Sequence, residues 1–110
     1  MIYIENLTKK YKEKVVLENT TVHFSNKLNF LYGGNGSGKT TFINLLAGIK
    51  KQNNGNIFFN NKKIIYGDGK YKKNIGFLLD FPTYPYHYKV IEYIKLLEDI
   101  YCIEKTKEYI

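Results

Sequence analysis

The chain has 110 residues, enough for one small domain, and its 17 basic and 10 acidic residues give a formal net charge of +7. Every basic residue is a lysine, and no run reaches the roughly five or six like charges of a binding tail, so we expect no specific nucleic-acid partner. The single cysteine, Cys102, excludes an internal disulfide framework, and its apolar helical surroundings predict a packed thiol. No apolar stretch approaches the roughly 18 residues of a membrane-spanning helix, which argues against a membrane-embedded protein.

The N-terminal third has the alternating pattern of β-strands. Residues 1–6 predict a strand with Ile2 and Ile4 on one face, and residues 7–12 are interpreted as a polar connection. A second strand, rich in β-branched and aromatic residues, is predicted from Val15 to Phe24. We therefore expect an antiparallel sheet in this part of the chain.

A glycine-rich loop follows between a predicted strand and a predicted helix. Residues 28–32 form a short apolar run typical of a buried strand, and residues 33–41 read GGNGSGKTT. Beyond them, apolar side chains recur at helical spacing, and Gly48 is a plausible end of the helix. The apolar positions are Phe42, Leu45, Leu46 and Ile49.

The loop fits the phosphate-binding pattern G-x-x-x-x-G-K-[ST]. Glycines let the backbone adopt positive φ and direct consecutive N–H groups at an anion, and the helix N-terminus adds positive partial charge. Lys39 would reach the β- and γ-phosphates, and the Thr40 hydroxyl would bind Mg²⁺. The predicted phosphate-binding residues are Gly33, Gly34, Asn35, Gly36, Ser37, Gly38, Lys39, Thr40 and Thr41.

The remaining residues predict a hairpin, a strand and a helix. Asn60-Asn61 is a two-residue turn signal, because Asn tolerates positive φ, between strands at residues 56–59 and 62–65. Residues 74–80 predict a buried strand that ends at Asp80. The aromatic segment 81–88 holds both prolines, and residues 89–100 predict an amphipathic helix.

The order of a short strand, the LTKKY stretch of residues 7–11, a second strand and the phosphate loop resembles the N-terminal half of ATP-binding cassette (ABC) ATPases. This resemblance implies an α/β fold with an incomplete P-loop NTPase core, an N-terminal antiparallel β-subdomain and the start of a helical subdomain. We expect β-subdomain strands over residues 1–32 and the P-loop and its helix over 33–49. The hairpin and a core strand then occupy 50–80, and the helical subdomain starts at 81–110.

The resemblance also implies roles for two residues outside the loop. Tyr11 lies where the family places an aromatic residue that stacks on adenine, the alternative being an ordinary half-buried aromatic residue at a strand end. Asp80 lies where the family has the glutamine that contacts Mg²⁺ and the attacking water. It would be a catalytic and metal-binding residue or, alternatively, a strand-end cap. Gly34 replaces a proline that is frequent in the family.

By the same resemblance, the cofactors are ATP and Mg²⁺, and the partners are a transmembrane permease subunit and a second nucleotide-binding subunit. Residues 81–88 would face the permease, or else pack onto the chain's own helix. The expected location is cytoplasmic, peripheral at the inner face of the cell membrane.

Several parts of a working ABC ATPase are not found: the signature motif, the second strand with its Mg²⁺-binding aspartate and catalytic glutamate, and the switch histidine. We therefore expect part of a larger domain that binds nucleotide without efficient turnover, whereas its full-length parent would hydrolyse ATP across a dimer. Two alternatives stay open. One is a soluble ABC-type ATPase acting on ribosomes or DNA, and the other is a noncatalytic nucleotide-binding module.

Overall fold

The computed structural model describes residues 1–78 and 85–102. They belong to two compact units, Met1–Tyr71 and Lys72–Ile110, each of which is treated by itself. A short 3₁₀ turn, Tyr71–Asn74, spans the boundary between the units.

The first unit is an antiparallel sheet with one helix. Its strands are β1 (Ile2–Tyr11), β2 (Lys14–Phe24), β3 (Asn54–Phe59) and β4 (Lys62–Lys63), and they lie in the order β2-β1-β3-β4. Every neighbouring pair is antiparallel, which confirms the predicted N-terminal β-structure. Helix α1 (Lys39–Leu46) follows the glycine-rich loop, as predicted.

The core of this unit joins α1 to the sheet. Its buried residues come from β1, α1 and β3, and half-buried apolar side chains surround them. Each fully buried side chain of this size contributes about 1.5–3 kcal/mol relative to its exposed state. The core residues are Ile4, Leu7, Phe42, Leu45 and Ile57.

Strand β1 is longer than predicted, and the interpretation of residues 7–12 as a polar connection is wrong. A bulge interrupts the pairing with β3 between Glu5 and Thr8, and Asn6 there has φ 49°. The extra residue shifts the alternation by one, so Leu7 turns to the same buried face as Ile4. A strict period of two therefore fails at Asn6, while the strand continues to Tyr11.

Two predicted chain reversals are confirmed. Helix α1 ends at Leu46, and Gly48, two residues later, has φ 70°; the N–H of Ile49 donates to the Asn44 carbonyl, as in a Schellman motif. Asn60 and Asn61 both have positive φ, 48° and 65°, which matches a two-residue hairpin turn between β3 and β4.

Two predicted strands are not formed in the described residues. Residues 28–32 have no strand structure, and Leu28, Phe30 and Tyr32 are 81%, 80% and 91% exposed. Residues 75–78 are likewise irregular, and residues 79 and 80 lie outside the described part of the chain. An apolar strand buried on both faces needs strands beside it, and no described strand pairs with residues 28–32.

The second unit contains helix α2 (Val90–Tyr101), which confirms the predicted amphipathic helix. The N–H of Lys89 donates to the Glu92 carboxylate at 2.9 Å, which caps its first turn. Cys102 follows the helix in a left-handed conformation and is exposed, so the prediction of a packed thiol is wrong. Among residues 1–78 and 85–102, neither helix has the length and apolarity that a membrane crossing requires.

Candidate functional site

The glycine-rich loop forms one wall of a cavity of about 430 Å³ in the first unit. The end of β1 and the start of β2 form the other wall. This volume lies within the usual range of small-molecule sites, about 300–1,000 Å³. The lining residues are Tyr11, Lys14, Val15, Val16, Gly34, Asn35, Gly36, Ser37, Gly38, Lys39, Thr40 and Thr41.

The backbone of the loop is bent so that it leads directly into α1. Gly36 and Gly38 have φ values of 79° and 92°, and the N–H of Ser37 donates to the Gly34 carbonyl at 3.2 Å. The N-cap residue Gly38 offers no side-chain acceptor, and the first turn of α1 holds no acidic residue. The first N–H groups of the helix are therefore not capped by a side chain, which suits an anionic ligand.

The charge of the cavity also suits an anion. Two lysines, Lys14 and Lys39, line the cavity, and no carboxylate is among its described lining residues. The Lys39 ammonium group donates to the Gly34 carbonyl at 3.0 Å and also to the Gly33 carbonyl. A phosphate oxygen would have to replace these carbonyl oxygens as the acceptor before Lys39 could bind it.

Close packing holds the loop against β2. A Cβ atom on Gly38 would lie 3.1 Å from Val16 Cγ1 and 3.3 Å from the Val16 carbonyl oxygen, so the loop backbone and the strand are in direct contact. The hairpin turn between Tyr11 and Lys14 then carries Tyr11 to the same cavity. Tertiary packing thus places an aromatic ring and the loop in one site, although the loop begins 22 positions beyond Tyr11 in the sequence.

The ring of Tyr11 contacts the ammonium group of a lysine. The Lys9 ammonium group lies 4.9 Å from the ring centroid, within the range of a cation–π interaction. The same ammonium group donates to the Lys51 carbonyl at 2.7 Å. Tyr11 itself is 39% exposed, which leaves part of its ring open to a ligand.

Most of the residues predicted from sequence come together here. Tyr11 and residues 34–41 line the cavity, while Gly33 borders it through the contact of its carbonyl with Lys39. Sequence reasoning missed Lys14, Val15 and Val16 as residues of the site. Only a short turn separates them from Tyr11, and this proximity was a signal that could have placed them near its ring. Asp80 lies outside the described residues, so its catalytic and metal-binding roles stay predictions.

No group of three or more potential metal ligands among His, Cys, Asp and Glu occurs in the part of the chain that the structure describes. Mg²⁺ in nucleotide sites needs fewer protein ligands, because phosphates and water supply most of its oxygens. Thr40, the second residue of α1, lines the cavity and offers one hydroxyl oxygen, which fits this donor set.

The glycine loop leads into a helix, packs on a strand and holds no acidic group. These features place the chain in the class of P-loop nucleotide-binding proteins. Within that class, the family model described as ABC transporter matches residues 7–108. The chain therefore belongs to the ABC transporter family, which confirms the resemblance found in the sequence.

Two curated relatives illustrate the similarity. An Fe(3+) ions import ATP-binding protein of Fusobacterium nucleatum is 34% identical over 87 residues, which is 77% of this chain and 23% of that protein. The ABC transporter ATP-binding protein YybJ of Bacillus subtilis is 31% identical over 101 residues, which is 91% of this chain and 46% of that protein. The chain thus spans less than half the length of each relative.

A solved ATP-binding subunit of an ABC transporter shares the fold with a TM-score of 0.78 at 21% identity. The match covers 97% of this chain and 45% of that one. The predicted fold class, part of a P-loop NTPase with an N-terminal antiparallel sheet, is confirmed.

Proposed function

We propose that this chain is the phosphate-binding part of an ABC transporter ATPase subunit and that it binds ATP with Mg²⁺ in the cavity between the loop and β2. The proposal rests on one observation: the N-terminus of α1, which no side chain caps, and the Lys39 side chain lie at the same cavity. Backbone N–H groups and an ammonium group together provide the donors that a triphosphate requires.

Each part of the site has a defined task in this proposal. The N–H groups of residues 36–40 would donate to the phosphate oxygens, and Lys39 would exchange its bonds to the loop carbonyls for bonds to the β- and γ-phosphates. Thr40 would hold Mg²⁺, with Asp80 as a second ligand, and the bound ion would neutralise charge on the phosphates. Tyr11 would stack on the adenine ring.

We propose binding without efficient turnover for this chain. Phosphoryl transfer needs a residue that orients the attacking water, besides the groups that hold the phosphates. No carboxylate or histidine lines the cavity among the described residues, and Asp80 is the only candidate that the sequence supplied. A full-length protein would complete the site across a dimer of two nucleotide-binding subunits and would couple ATP hydrolysis to transport.

The second unit supplies the surface that we propose for the permease. Tyr86 is 92% exposed, Val90 and Ile100 of α2 are also exposed, and the rings of His87 and Tyr88 lie 4.6 Å apart. Exposed aromatic side chains favour a protein interface. Through it the subunit would lie at the cytoplasmic face of the membrane. A photo-crosslinker at position 86 should capture an integral membrane protein in cells, and capture of soluble proteins only would refute this surface.

Calorimetric titration with ATP and Mg²⁺ tests the nucleotide site. The Lys39→Ala variant loses hydrogen bonds between charged groups, which are worth about 1.5–3 kcal/mol, so its affinity should fall about 10- to 150-fold. Lys62→Ala is the matched control, because Lys62 is an exposed lysine on β4 that does not line the cavity. Equal affinities of Lys39→Ala and the wild type would refute the proposed site.

A further inference from the structure

Lys9 has two partners that connect separate parts of the first unit. Its ammonium group lies over the ring of Tyr11, 4.9 Å from the centroid, and donates to the Lys51 carbonyl at 2.7 Å. Lys51 follows α1, the helix whose first turn belongs to the phosphate loop. One side chain therefore bridges the aromatic ring and the segment that leaves the helix.

Two further hydrogen bonds fix this segment to the end of β1. The N–H of Asn53 donates to the Thr8 carbonyl at 2.9 Å, and the N–H of Lys10 donates to the Asn53 side-chain oxygen at 2.8 Å. The backbone on both sides of Lys9 is thus held in place, and the Lys51 carbonyl presents a fixed acceptor. The hydrogen bond to this acceptor restricts the rotamers of the Lys9 side chain, so its ammonium group stays near the Lys51 carbonyl.

The ring of Tyr11 belongs to the cavity, whereas the half-buried Lys9 lies outside its lining. An exposed tyrosine without such a contact would rotate about its side-chain torsions and would lose that freedom when a base stacked on it. A cation that is already bound to one face of the ring reduces this cost.

We infer that Lys9 is a positioning residue for the nucleobase: it holds the Tyr11 ring from the side away from the cavity, so that the other face meets the base. This inference rests on the proposed role of Tyr11 in ATP binding. It assigns to Lys9 an effect on the base and not on the phosphates.

The test compares ATP with inorganic triphosphate, which lacks the base, as ligands of the 110-residue chain in the presence of Mg²⁺. Lys9→Met keeps the length of the side chain but removes its charge and its donor. Because exposed cation–π contacts are weak, this variant should bind ATP about two- to fivefold more weakly and triphosphate as tightly as the wild type. Lys9→Arg, which keeps a cation and a donor, should restore ATP binding.

Two controls separate this role from others. Lys10→Met removes the same charge from the next residue, whose side chain is exposed, and should change neither affinity. In a Tyr11→Ala background, Lys9→Met should have no further effect on ATP binding, since the ring that it positions is absent.

Each other outcome overturns the inference. An equal loss of ATP and triphosphate affinity in Lys9→Met would show that the lysine attracts phosphate charge, and an unchanged ATP affinity would show that it does not position the ring. If Tyr11→Ala binds ATP as well as the wild type does, the proposed stacking itself fails, and the role of Lys9 fails with it. A wild-type chain that binds neither ligand would refute the nucleotide site as a whole.

Discussion

Replacing Gly55 with alanine tests the part of the fold that carries Tyr11 to the cavity. Gly55 lies on β3 opposite the bulge at Asn6, and its φ is 88°. A Cβ atom at this position would lie 2.4 Å from the Asn6 carbonyl oxygen and 2.6 Å from the Glu5 carbonyl oxygen. Both neighbours are backbone atoms of β1, so they cannot move away by a change of rotamer.

The expected loss of stability has two sources. A non-glycine residue with this φ costs about 1–2 kcal/mol, and forcing an extra carbon into a packed site costs about 1–3 kcal/mol more. The sum, about 2–5 kcal/mol, is a large share of the roughly 5–15 kcal/mol that stabilises a typical domain. We expect the free energy of unfolding to fall by this amount in urea titrations followed by circular dichroism.

Two matched variants separate these sources. Gly67 has φ 89° but nothing within 4 Å of an added Cβ, so Gly67→Ala should show the conformational cost of about 1–2 kcal/mol alone. Gly69 has neither positive φ nor a close neighbour, so Gly69→Ala should be neutral or stabilising by about 0.4–1 kcal/mol. If Gly55→Ala costs no more than Gly67→Ala, β1 and β3 do not approach as closely as we describe.

Two further predictions concern the core and a buried hydroxyl. Leu7→Ala should lower the free energy of unfolding by about 2–5 kcal/mol, because Leu7 is fully buried; a loss below about 0.5 kcal/mol in urea unfolding would contradict its place in the core. The Tyr71 hydroxyl is buried and has no hydrogen-bond partner in the described structure, so Tyr71→Phe should stabilise the chain by about 1 kcal/mol. Burial also raises the pKa of Tyr71 above its ordinary value of 10.0, so the unfolded state loses this proton first. The free energy of unfolding is therefore independent of this ionisation below pH 10 and falls as the pH rises from there through the folded-state pKa. Thermal melts across that range should show a smaller decline in Tyr71→Phe.

The features predicted correctly from sequence depend on local chemistry. The loop, the reversal at Gly48 after α1 and the Asn60-Asn61 turn each need particular residues at adjacent positions, because only certain residues adopt positive φ without strain. The amphipathic pattern of α2 is local in the same sense, since its spacing follows from the helical period.

The errors arose where a residue's environment depends on distant parts of the chain. Residues 7–12 are mostly polar, which favours a connection, but a bulge at Asn6 directs Leu7 into the core. The interpretation of residues 28–32 as a buried strand was wrong for a related reason. Apolar character shows that a segment can be buried, whereas a strand also needs partners for its backbone N–H and C=O groups.

The amino-acid sequence alone identifies a phosphate loop, because nine consecutive residues, 33–41, carry most of that chemistry, and the order of the elements around the loop indicates the family. What surrounds the loop depends on contacts between distant parts of the fold. The loop packs against Val16 of β2, 22 positions before Gly38, and the hairpin turn after Tyr11 carries that ring to the same cavity. The bulge in β1 breaks the strand period, and the Lys9–Lys51 bond joins residues 42 positions apart. Such contacts follow from packing and hydrogen bonding across the fold, which no local pattern encodes.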